Sequence, residues 1–123
     1  MDLLRVRFAH SDDCAVLRHR ARQALGPWQA PDLVADSLLV ITELVENVIQ
    51  HTTDGGELVL RRNGDALRIE VTDSSRRLPH VLGPDPRRLG GRGLLLVAAM
   101  THAWGCHPVS DGKVVWADIA IPR

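Results

Sequence analysis

The chain has 123 residues, 45% of them hydrophobic and 24% charged, which suits one domain with a real core and excludes disorder. Fifteen basic and fifteen acidic residues give a net charge of zero. That balance argues against a nucleic-acid binder, which usually carries a basic excess or stripe.

Three tryptophans and one phenylalanine are the only aromatics, so the core must come from Leu, Val, Ile and Ala. The first residues, MDLLRVRFAH, alternate and lack the apolar stretch of a secretory leader. Cys14 and Cys106 therefore read as reduced thiols or small buried apolar residues. No apolar run reaches membrane-spanning length. The expectation is a soluble, cytoplasmic protein.

Along the chain, LLRVRF at residues 3–8 places Leu4, Val6 and Phe8 on one face and Arg5 and Arg7 on the other, a half-buried strand. A helix should follow, with Ser11 as its cap, Asp12 and Asp13 in its first turn, and Gly26-Pro27 as its stop. The loop GPWQAP leads to a long helix from about Asp32 to His51, broken by HTTDGGE. ELVLRRN and ALRIEVTD then read as two strands around Asn63-Gly64, a strong hairpin signal. The arginines of RRNGDALR read as a solvated hairpin surface.

SSRRLPHVLGPDPRRLGGRG is a twenty-residue loop with three prolines and four glycines. Such length without periodicity is often functional. GLLLVAAMTHAWG reads as an apolar helix, and the last stretch as two strands around Asp111-Gly112. The order β-α-α-β-β-loop-α-β-β predicts an α+β sandwich, with helices covering one face of a mixed, mostly antiparallel sheet. Neither a repeat nor a linker is visible, so residues 1–123 read as a single domain.

Three constellations carry chemistry. In ITELVENVIQHT, Glu43, Asn47 and His51 recur every four residues, on one arc about 80° wide. The apolar arc of this helix is assigned to Val34, Leu38, Ile41, Leu44, Val45, Val48 and Ile49, with Asp36, Glu43, Asn47 and His51 opposite. Leu39 and Val40 fall on the polar arc, so that face is not simply wet. Asn is a poor helix-interior residue, because its side chain competes with the backbone. An Asn one turn from a Glu suits oxygen ligation of Mg²⁺, with the Glu able to polarise a hydroxyl or water.

In LRIEVTDSS, the alternation that turns Leu67, Ile69 and Val71 inward also turns Asp73 inward. Two readings stand. Either the strand ends at Thr72 and Asp73 caps a turn, or a core-facing carboxylate accepts from an amino group of a buried ligand such as adenine. In GGRGLLLVAAM, glycines at 90, 91 and 93 open a helix beside Arg87, Arg88 and Arg92. Backbone N–H groups at such a start attract phosphate. A flexible loop before a helix is the plainer alternative. The sequence contains neither a Walker A loop nor the third glycine of a dinucleotide fingerprint. His102 and Cys106 lack the further ligands a zinc site needs.

Jointly and in this order, the motifs resemble those of the GHKL ATPase superfamily of gyrase, chaperone, histidine-kinase and mismatch-repair types. ELVENVIQH is similar to its N box, DSSRRLP to its first glycine box and GGRGL to its second, and the likeness runs from residue 3 to about 121. GRGLLLV, WG and KVVWADI look especially like the small anti-sigma-factor-like serine kinases and ATP-binding proteins common in actinobacteria.

The resemblance implies a two-layer sandwich of the Bergerat type that binds ATP or ADP with Mg²⁺. It implies Glu43 as the catalytic carboxylate, Asn47 as the Mg²⁺ ligand and His51 at the phosphate end. It implies Asp73 on the adenine amine, Gly91 and Gly93 on the phosphates, and Ser75, Pro79, Arg92 and Leu94 along the same nucleotide pocket. Residues 80–92 would form a lid, short and rich in proline. Ser75 stands where the first glycine box usually has glycine, which adds bulk near the base. The implied activity is serine/threonine kinase, and the implied partners are a sigma factor, a STAS-type antagonist of an anti-sigma factor and a second copy in a homodimer. Direct contact with nucleic acid or membrane is not implied.

Overall fold

The computed structural model describes residues 2–9, 14–51, 55–73, 97–110 and 112–122, with the backbone alone for residues 50 and 51. Strand β1 is Asp2–Phe8, helix α1 Cys14–Leu25, helix α2 Pro31–His51, strand β2 Gly56–Asn63, strand β3 Ala66–Asp73, strand β4 Ala103–Val109 and strand β5 Gly112–Ala120. The five strands form one sheet in the order β1-β2-β3-β5-β4, and all four described pairings are antiparallel. The expected α+β sandwich is present. The calls at Ser11, Asp12 and Asp13 lie outside the described residues.

α1 buries Leu17, Ala21 and Leu25, one residue per turn on a single face. It gives way to a short 3-10 turn over Gly26–Trp28, where Pro27 stops the α-helical ladder. Gln29 then adopts φ 51°, and its N–H donates to Gly26 O at 3.1 Å. That left-handed residue turns the chain into α2, which opens on Pro31, a favoured first helical residue because it has no N–H to lose.

The core lies between α1, α2 and one face of the sheet. Leu58 and Leu60 of β2, Leu67, Ile69 and Val71 of β3, and Val115, Ala117 and Ile119 of β5 form one cluster with the helices. Each such Leu or Ile contributes about 1.5–3 kcal/mol by leaving water. Leu4, Val6 and Phe8 face that core, and Arg5 and Arg7 face away.

α2 departs from its predicted arc. Its buried stripe is Leu33, Ser37, Val40, Ile41, Leu44, Val45 and Val48, while Val34, Leu38 and Ile49 are half-buried on the flank. At 100° per residue, this centres the buried face roughly 60° closer to Asn47 than predicted. Ser37 passes as a core residue because its hydroxyl donates to Leu33 O at 2.6 Å. Asn47, expected opposite the apolar arc, is only 6% exposed and borders it.

The turn residues between β2 and β3 are Gly64 and Asp65, one step on from the Asn-Gly pair, with Asn63 paired to Ala66. Gly64 takes φ 59°, as a glycine-first two-residue hairpin requires. At the first residue of β2, a Cβ on Gly56 would collide with Thr72 O, so only glycine fits there.

The outer face of the sheet is charged and paired. Arg68 makes a bidentate contact with Asp118, both bonds 2.8 Å, and its guanidinium stands 4.4 Å from the centre of the Trp116 ring. Arg61 pairs with Glu70 at 2.9 Å. Arg5 bonds both Asp2 and Glu57. The hairpin arginines are therefore not all simply solvated: Arg61 and Arg68 bind across strands, while Arg62 is exposed.

Candidate functional site

α2 packs against β3 and β5. Its C-terminus leads into β2 within four residues, and β2 begins at Gly56, the direct partner of Asp73. The Glu43, Asn47 and His51 arc of α2 thus runs toward the sheet end that carries Asp73.

Asn47 is buried, and its Oδ1 accepts no hydrogen bond among the described residues. Leaving a buried carbonyl unpaired costs about 1–3 kcal/mol, in a helix where Asn is already disfavoured. An oxygen kept in that state fits a ligand position for a hard cation, which takes oxygen donors. Among the described residues, no group of three His, Cys, Asp or Glu is placed to hold a metal.

Glu43 stands one turn earlier and is half-buried. Burial pushes its carboxyl above the usual glutamate range, and the neighbouring charge of Glu46 adds to the shift. Such a carboxylate is a better proton acceptor than an exposed one. His51 ends α2, and its side chain lies outside the described residues.

β3 runs through Asp73, whose carboxylate is fully buried in the register of Leu67, Ile69 and Val71. The strand therefore does not end at Thr72. Lys113 of β5 lies directly opposite, and its Nζ is 2.7 Å from Asp73 Oδ2. Both side chains are almost wholly buried. Nearby on β4, burial pushes the Cys106 thiol up; the Lys113 charge lowers it and the Asp73 charge raises it.

Sequence reasoning missed Lys113. The signal was available, because GKVVWADIA alternates and puts Lys113 in the inward register of Val115, Ala117 and Ile119. Ser75, Pro79, Gly91, Arg92, Gly93 and Leu94, and the lid over residues 80–92, lie outside the described residues.

Among the described residues, an unpaired buried amide oxygen on α2 and a buried ion pair between β3 and β5 stand on the inner side of the α+β sandwich. The family model of the histidine kinase-like ATPase domain matches residues 9–119, and the chain belongs to that family. ATP binding is the property that comes with it. No curated protein matches the chain. Among the described residues, no helix is long and apolar enough to cross a membrane.

Proposed function

We propose that this chain is an ATP-dependent serine/threonine protein kinase of the anti-sigma-factor type, acting on a STAS-type antagonist and also binding a sigma factor. The observation that carries the reading is the pairing of two unusual groups on one arc of α2. Asn47 offers a buried oxygen that has no hydrogen-bond partner among the described residues, and Glu43, one turn away, offers a carboxylate whose burial raises its proton affinity.

In this reading Asp73 would accept from the amine of adenine and Asn47 would hold Mg²⁺, whose charge would offset that of the phosphates when bound. Glu43 takes the proton of the acceptor serine hydroxyl. The serine oxygen bonds to the γ-phosphorus as the bond to the bridging oxygen of the β-phosphate breaks, and ADP leaves with that oxygen. By the family resemblance, His51, Gly91, Arg92 and Gly93 would belong to the phosphate end, and Ser75, Pro79 and Leu94 to the rest of the pocket.

The experiment is transfer of label from γ-labelled ATP to a cognate STAS-type protein, beside calorimetric ATP binding. Transfer by wild type and its loss in Glu43→Ala supports the kinase. Tight ATP binding with no transfer to any cognate antagonist favours a nucleotide-dependent binding module without phosphotransfer.

A further inference from the structure

Every other residue on the inward register of β5 is apolar: Val115, Ala117 and Ile119. Lys113 alone carries a charge there, at 4% exposure, against the strong preference of lysine for water. Its partners along the sheet are Asp73 on one side and Pro108 on the other, and beyond Asp73 lies Gly56. Neither Pro108 nor Gly56 offers a polar side chain. The Cys106 thiol feels the charges of both Lys113 and Asp73.

Packing alone does not explain the pair. An apolar pair of similar volume in such a place is usually as stable or more so. Lys113 Nζ stands 2.7 Å from Asp73 Oδ2 and directly opposite it across the sheet, so it holds the carboxylate in one orientation on the inner face of β3. An acceptor that must meet the amine of adenine depends on that orientation.

We infer that Lys113 is a positioning residue of the purine subsite, holding the Asp73 carboxylate in the orientation in which it accepts from a 6-amino purine. The inference rests on the reading of Asp73 as the acceptor of that amine. Lys113 acts through Asp73, so its effect belongs to the amino group and not to the phosphates or the sugar.

The test compares ATP with purine riboside triphosphate, which has the same ring, sugar and phosphates but no 6-amino group. Calorimetric binding with Mg²⁺ is measured for wild type, Lys113→Met, Lys113→Arg and Asp73→Asn. Lys113→Met is expected to lose about tenfold in ATP affinity while staying within about twofold for the amine-free nucleotide. Lys113→Arg is expected to keep most of the preference for ATP. If Lys113→Met is too disruptive to fold, Lys113→Gln replaces it, keeping a donor without the charge.

Equal losses on both nucleotides mean a purely structural lysine and overturn the inference, as does an unchanged preference for ATP. Asp73→Asn tests the parent reading separately. If it keeps the full preference, Asp73 does not read the amine, and both ideas fall together. If it abolishes the preference while Lys113→Met retains it, only the role of Lys113 falls.

Discussion

Asn47 stands one helical turn after Glu43 on α2, and the two meet different surroundings: Asn47 is 6% exposed with no partner for its Oδ1 among the described residues, whereas Glu43 is half-buried. A cost to stability at one and a shift in proton affinity at the other lie side by side. Such departures gather at sites that serve a ligand and not the fold.

Asn47→Ala should separate stability from binding. It removes an unsatisfied buried carbonyl and installs the best helix former, so the ligand-free melting temperature should stay at or above that of wild type. Affinity for ATP should fall about tenfold or more in Mg²⁺ and change little in EDTA. Scanning calorimetry and titration calorimetry check the two halves. A destabilised variant with unchanged Mg²⁺-dependent affinity would make Asn47 a packing residue.

Glu43→Gln should show its effect through pH. The folded value of Glu43 is raised by burial, so its charged form is disfavoured in the fold. That handicap is absent below the unfolded-state value, where the carboxyl is protonated in both states. It sets in as pH rises through the raised folded value. Glu43→Gln should therefore match wild-type stability in acid and exceed it slightly at neutral pH. Phosphotransfer by the same variant should drop by roughly 10²–10⁴, with ATP affinity within about a few-fold. Melting curves from pH 3 to pH 8 and a transfer assay provide the measurements.

ATP with Mg²⁺ should raise the melting temperature as its concentration rises, the added stability reaching about 2.7 kcal/mol at one hundred times the dissociation constant. GTP should do less if Asp73 reads the base as proposed, because its ring presents a carbonyl where adenine presents an amine. A melt unmoved by millimolar ATP and ADP would count heavily against nucleotide binding by this chain.

Gly105→Ala should destabilise the sheet away from the site. A Cβ there would stand 2.9 Å from Trp116 Cζ2, 3.0 Å from Cε2 and 3.1 Å from Nε1. The ring also carries the Arg68 guanidinium, which is tied to Asp118. Overpacking of this kind costs about 1–3 kcal/mol, read in urea unfolding. Trp116→Leu should remove most of the added cost in a double-mutant cycle.

Local pattern was enough for the described strands and for the two long helices of this protein. Period two in LRIEVTD and period 3.6 in α2 are written into the order of residues, as are the punctuation at Gly26-Pro27 and the Gly64 hairpin. The same alternation put Asp73 on the inner face before any fold was known. Tertiary structure decided what those faces meet. The buried centre of α2 turned toward Asn47 because the helix packs on both α1 and the sheet, and Ser37 could join the core once its hydroxyl bonded its own helix. Lys113 became the partner of Asp73 only when β5 inserted between β3 and β4, joining residues forty positions apart. Alternation can report that a charge points inward, but the neighbour that compensates it is set by strand order, which no local period encodes.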